Sequence, residues 1–152
     1  MTRLRGAILP LLACACIGPG GGTPPLEPVD ERDIVAFAER ISAFYQRLEK
    51  LPLNSLIAFE DPELRSYFED EREFSDYFAS VAAQVREASL RHTRAERVLI
   101  REFRFADDGL AEVDITLEGR HKRGLRWGLI ELQRTDTWRR VGGTWSLTPD
   151  KL

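Results

Sequence analysis

The sequence predicts an α+β domain, with helices in its first half and a four-stranded antiparallel meander in its second. Two observations carry this. Apolar residues recur at spacings of three and four until about residue 91, and then alternate with polar ones. In the second half, an Asp-Asp-Gly and a Gly-Gly fall where hairpin turns are needed. At 152 residues the chain fits one domain with a tail, and 43% apolar content is enough for a core. Charge is nearly balanced, 22 basic against 25 acidic residues, which excludes the basic excess of a nucleic-acid binder. No heptad persists, so a coiled coil is excluded too.

The first helix opens at Asp30, an N-cap, with Glu31 and Asp33 favoured by the dipole in its first turn. Its apolar stripe is Ile34, Phe37, Ala38, Ile41, Phe44, Tyr45 and Leu48, and Pro52 ends it. Leu53 to Phe59 reads as one short turn. Asp61-Pro62-Glu63 supplies cap, N1 proline and acidic first turn for a short helix ending near Phe68. Asp70-Glu71-Arg72-Glu73 resembles a capping box. The third helix behind it, with Phe74, Tyr77, Phe78, Val81, Val85 and Ala88 on one face, is expected to run to about Arg91.

Strands follow. Val98 to Phe105 is aromatic and β-branched, and Asp107-Asp108-Gly109 is its turn. Ala111, Val113, Ile115 and Leu117 alternate with Glu112, Asp114, Thr116 and Glu118, a half-buried strand. Leu125 to Arg140 makes a third strand. Gly142-Gly143 suits a two-residue turn, which places Arg140 opposite Trp145 and Trp138 opposite Leu147.

The N-terminus predicts an address. Arg3 and Arg5 precede the apolar run Gly6 to Ala13, which is too short to span a bilayer and has the layout of a secretory signal. Leu11-Leu12-Ala13-Cys14 resembles the bacterial lipobox, whose implied cleavage leaves Cys14 acylated; Cys16 offers a poorer register. Residues 1–13 are therefore read as a lipoprotein signal peptide, 14–28 as a Gly/Pro-rich tether, and 29–152 as the domain. Ala15 follows Cys14 where some bacteria use aspartate for inner-membrane retention, so the resemblance implies the outer membrane. Charge is polarised along the mature chain. Glu27 to His92 carries a net charge of -7 and Thr93 to Leu152 one of +2, a pattern of solvated surface or of a surface that steers a partner.

The order of elements, with the closing hairpin Thr137-Trp138-Arg139-Arg140-Val141-Gly142-Gly143-Thr144-Trp145-Ser146-Leu147, resembles the NTF2-like superfamily, which includes SnoaL-like cyclases and ketosteroid isomerases. Asp61 to Phe68 is similar to the segment after that family's first helices. The resemblance implies a cone, helices packed into a curved sheet around a cavity. Some members use it for acid/base or hydrolytic chemistry and others only bind. The chain departs from the pattern over Phe59 to Glu73, which reads helical where members commonly place a short strand pair.

The polar inventory is thin. His92 suits a helix C-terminus, and His121 lies in the basic run Arg120 to Arg123. Two histidines and no cysteine beyond the lipidated end predict no metal site, and no motif predicts a cofactor. Pocket candidates are Tyr45 and Tyr77 on the helices and Trp127, Glu131 and Trp138 on the third strand. Glu131 shares a face with Trp127 and Leu129, so it is expected to be the one carboxylate on the inner face, whereas Asp114 falls on the polar face. No residue is assigned as catalytic. The expectation is a lipid-anchored domain on the periplasmic side of a bacterial envelope, non-catalytic, binding a small apolar ligand, an envelope protein or a second copy of itself, and no nucleic acid. The alternative is a small isomerase, dehydratase or hydrolase acting in the cone.

Overall fold

The structure, a computed structural model, describes residues 30–52, 56–90, 94–106, 109–123 and 126–149. The signal segment, the tether, Cys14, Cys16 and His92 lie outside the described residues. Helices α1 (Glu31–Lys50), α2 (Leu56–Phe59), α3 (Pro62–Arg65) and α4 (Glu71–Glu87) precede strands β1 (Arg97–Ala106), β2 (Leu110–Arg123), β3 (Arg126–Val141) and β4 (Thr144–Thr148). The strands form one antiparallel sheet in the order β1-β2-β3-β4, so the α+β meander stands. Among the described residues no helix is long and apolar enough to cross a membrane.

Local chemistry sets the helix starts. Asp30, Asp61 and Asp70 each cap, their carboxylates accepting from Asp33, from Glu63 and Leu64, and from Glu73. The stops differ from expectation. The short helix α3 closes at Arg65 and not near Phe68, whereas α2 is the short turn expected before it, over its described residues 56–59. The last helix ends at Glu87, short of Arg91, because Ser89 takes a left-handed φ of 55°. The Ser89 amide then bonds the Arg86 carbonyl and the Leu90 amide bonds the Val85 carbonyl, a Schellman closure with Leu90 folded into the core.

Phe37, Ile41, Phe44, Tyr45 and Leu48 of the α1 stripe are buried, but Ile34 is 39% exposed. The stripe begins one turn before the partner surface does. Between Ile100 and Glu102 the β1–β2 register shifts, with Arg101 as the extra residue. That bulge lets Val98 and Ile100 on one side of it, and Phe103 and Phe105 on the other, all pack against the core despite their opposite parity. The β3–β4 hairpin is as the sequence predicts: Arg140 opposes Trp145, Trp138 opposes Leu147, and Gly142 and Gly143 have φ of 57° and 83°.

The helix-covered face of the sheet is filled by rings. Phe37 contacts Phe103, Phe105, Trp138 and Trp145 at centroid distances between 4.8 and 6.0 Å. Phe44 does the same for Tyr45, Tyr67, Tyr77 and Trp138 between 5.1 and 5.7 Å. Edge-on and tilted pairs of this kind add to the burial of large apolar areas.

Candidate functional site: a buried carboxylate between two tyrosines

Three elements bring one carboxylate and two hydroxyls together inside the core. Tyr45 comes from α1, Tyr77 from α4 and Asp136 from β3, each on the inner face of its element. The Tyr45 hydroxyl donates to Asp136 Oδ2 at 2.8 Å and the Tyr77 hydroxyl donates to the same oxygen at 2.9 Å. Arg134, two residues back on β3, donates from Nε to Asp136 Oδ1 at 2.5 Å and from a terminal nitrogen to Ser80 Oγ at 3.0 Å. Its guanidinium also lies over the Tyr77 ring, 4.9 Å from the centroid. The Trp138 indole N–H completes the group toward the Tyr45 hydroxyl at 3.5 Å, a long contact.

Water is excluded here. The Asp136 side chain is 0% exposed and that of Arg134 5%. Burial pushes the Asp136 carboxyl above the ordinary aspartate range, with Arg134 and the two tyrosine hydroxyls opposing the rise. Burial, and then the Asp136 charge, hold both Tyr45 and Tyr77 well above the usual tyrosine value. Both oxygens of the carboxylate are occupied, and both hydroxyl protons point at it. A proton relay between carboxylate and phenol is chemically sound, but general acid/base work needs a substrate within hydrogen-bond reach. The rings of Phe44, Tyr67 and Trp138 surround the cluster, which fastens α1 and α4 to β3.

Tyr45, Tyr77 and Trp138 stand where the sequence puts them, inward and close together. Glu131 and Trp127 do not. Trp127 is 49% exposed, the Glu131 side chain is also 49% exposed, and Leu129 beside them is 65% exposed. All three lie on the outer face, with Glu131 4.0 Å from Arg101. The reason is parity. β3 carries two apolar sets: Trp127 and Leu129 at odd positions, and Ile130, Leu132 and Trp138 at even ones. The sheet buries the even set, which takes Arg134 and Asp136 inward with it. Counting back by twos from Trp138, which pairs across the closing hairpin, was the signal that finds Asp136.

The outer face is a polar lattice. Arg104 bonds Glu112 and Asp114, Thr135 donates to Asp114, Arg101 donates to Thr116, and Arg97 pairs with Glu118. Asp114 is on this face, as alternation requires. Arg104 and Thr135 also hold its carboxyl below the usual range, with the Thr135 hydrogen bond as the largest cause. A shallow depression of about 580 Å³ opens here beside the bulge, lined by Arg101, Glu102, Thr116 and Gln133 among others. His121, opposite Gly128 in register, lies within β2 and bridges to Leu90.

Fold and centre together define an α+β domain whose one internal constellation of ionisable groups is closed to solvent among the described residues. Compared with family models, curated proteins and solved structures, the chain matches none.

Proposed function

We propose that this chain is a lipid-anchored domain of the bacterial cell envelope, NTF2-like in its cone, that acts by binding a protein partner and catalyses no reaction. The observation that supports this reading is the closure of the Asp136 cluster. Its side chains satisfy one another, and aromatic rings fill the space an apolar ligand would need. Recognition is thereby left to the surface. Attachment rests on the lipobox ending at Cys14, with the outer membrane and its periplasmic side as the address. Lipid chains contribute about 0.8 kcal/mol per buried methylene, so a multiply acylated cysteine retains the domain without a spanning helix.

The test is fractionation with metabolic palmitate labelling. The wild-type chain is expected in the membrane fraction and labelled, and Cys14→Ser in neither. Unchanged labelling of Cys14→Ser overturns the anchor assignment, and Cys16 then takes its place. An isomerase-like reading is favoured only by the two phenols on one carboxylate, and it requires the interior to open. Slow amide exchange throughout the α1 and α4 segments flanking Tyr45 and Tyr77 counts against it.

A further inference from the structure

The meander is uneven. β4 pairs only with Thr137 to Val141 of β3, and β1 begins opposite Glu118 of β2. The β2–β3 hairpin from Gly119 to Asp136 therefore runs past its neighbours, and among the described residues no strand pairs with the outer side of β3 there. The Arg140 amide donates to the Gly109 carbonyl on the β2 side. The register continues without a shift, so even residues of β3 bond toward β2, and Leu129, Glu131, Gln133 and Thr135 aim their backbone groups at the open edge.

A groove of about 450 Å³ lies along that edge, between Gln84, Glu87 and Ala88 at the end of α4 and Ile130 to Gln133 of β3. Its floor is apolar, Ala88, Ile130 and Leu132. Past the groove, toward the β2–β3 turn, the sequence from Arg120 to Arg126 carries Arg120, Lys122, Arg123 and Arg126 and no acid. In backbone register Arg120 is opposite Leu129 and Lys122 opposite Trp127, and Trp127 and Leu129 are exposed on the outer face. Glu131 is offset by Arg101; Arg120 is shared with Glu96.

We infer that this edge binds an extended segment of a partner protein by strand addition, antiparallel to β3, apolar where it crosses the groove and acidic where it reaches the hairpin tip. Main-chain bonds would supply affinity and the two zones specificity. Antiparallel pairing places the acidic residues at the C-terminal end of the segment. The site deepens the binding reading above and rests on it. An open row of main-chain donors and acceptors is matched by a peptide backbone and not by lipid head groups, so the occupant is a protein strand.

The test uses the full chain in neutral-detergent micelles. The probe is a peptide alternating Thr and Val and ending in three Glu. Its binding is read by anisotropy of a label on the peptide and by the emission of Trp127, since Trp138 and Trp145 are buried. Saturable binding is expected. A peptide with the three Glu moved to its N-terminus should bind about tenfold more weakly, and Arg126→Glu should weaken the first peptide roughly threefold or more. A version N-methylated at alternate amides should not bind. Equal binding of the N-methylated or reordered peptide, no binding of any, or uptake onto phosphatidylglycerol vesicles in place of peptide each overturns the inference. The Cys14→Ser fractionation reads a different property, so failure here is distinguishable from failure of the anchor.

Discussion

All three tyrosines of the chain, Tyr45, Tyr67 and Tyr77, are shifted upward, burial being the first cause in each. Alkaline titration exposes this directly. In the unfolded chain each phenol ionises near pH 10.0. In the native chain Tyr45 and Tyr77 keep their protons beyond that. The stability these phenols contribute is fully present below pH 10.0 and is lost as pH rises above it, because only the unfolded state releases protons. One pKa unit corresponds to about 1.4 kcal/mol, so two silent tyrosines cost the native state about 2.7 kcal/mol per pH unit above the unfolded value. A domain of about 5–15 kcal/mol stability would then unfold some two or more units into the alkaline range. Tyrosinate absorption and far-ultraviolet circular dichroism, followed together, should change in one step. Tyr45→Phe and Tyr77→Phe should each remove about half of the slope. Each should also cost roughly 1.5–3 kcal/mol at neutral pH, the range for a hydrogen bond to a charged acceptor. Reversible ionisation of two or three tyrosines near pH 10.0 with the dichroism still native would refute the buried cluster.

Arg134→Met leaves Asp136 buried without its ion-pair partner. It should lose about 3–5 kcal/mol in neutral urea melts and recover part of that in acid, where protonation removes the buried charge. Ser89→Gly should raise the melting temperature, since a β-carbon in the left-handed region costs about 1–2 kcal/mol. Gly143→Val should destabilise by about 1 kcal/mol or more through its φ of 83° alone, as nothing stands within 4 Å of the added carbon. Gly119→Ala sets its β-carbon against Leu90 Cδ2, and should cost about 1–3 kcal/mol as Leu90 is displaced. A neutral outcome in thermal denaturation would count against the packing drawn at that site.

What the sequence disclosed was local or cross-strand and unambiguous. Asp30, Asp61 and Asp70 announce helix starts because each bonds amides two or three residues away. Gly142-Gly143 fixes a hairpin because few residue pairs tolerate two positive φ values. Parity along a long strand is another matter. On β3 the odd apolar residues Trp127 and Leu129 are as hydrophobic as the even ones, and only tertiary packing chooses between them, so Glu131 was expected inward and Asp136 went unremarked. The end of α4 was illegible for a similar reason. Its apolar period continues, and a serine, not a glycine, makes the left-handed stop.

The bulge at Arg101 carries a consequence for chain length. With Arg101 deleted, Val98, Ile100, Phe103 and Phe105 fall into strict alternation, and Leu99, Glu102 and Arg104 fall opposite them. The strand thus needs no hundred-and-first residue to keep its inner side chains inside; the extra residue serves the local bend and twist that a bulge brings. A shortened chain should still fold, with β1 straighter, Phe103 and Phe105 drawn away from Phe37, and the bonds from Arg101 to Thr116 and Glu131 gone. The bulge in this sheet is therefore an insertion, separable from the alternation that buries the inner side chains.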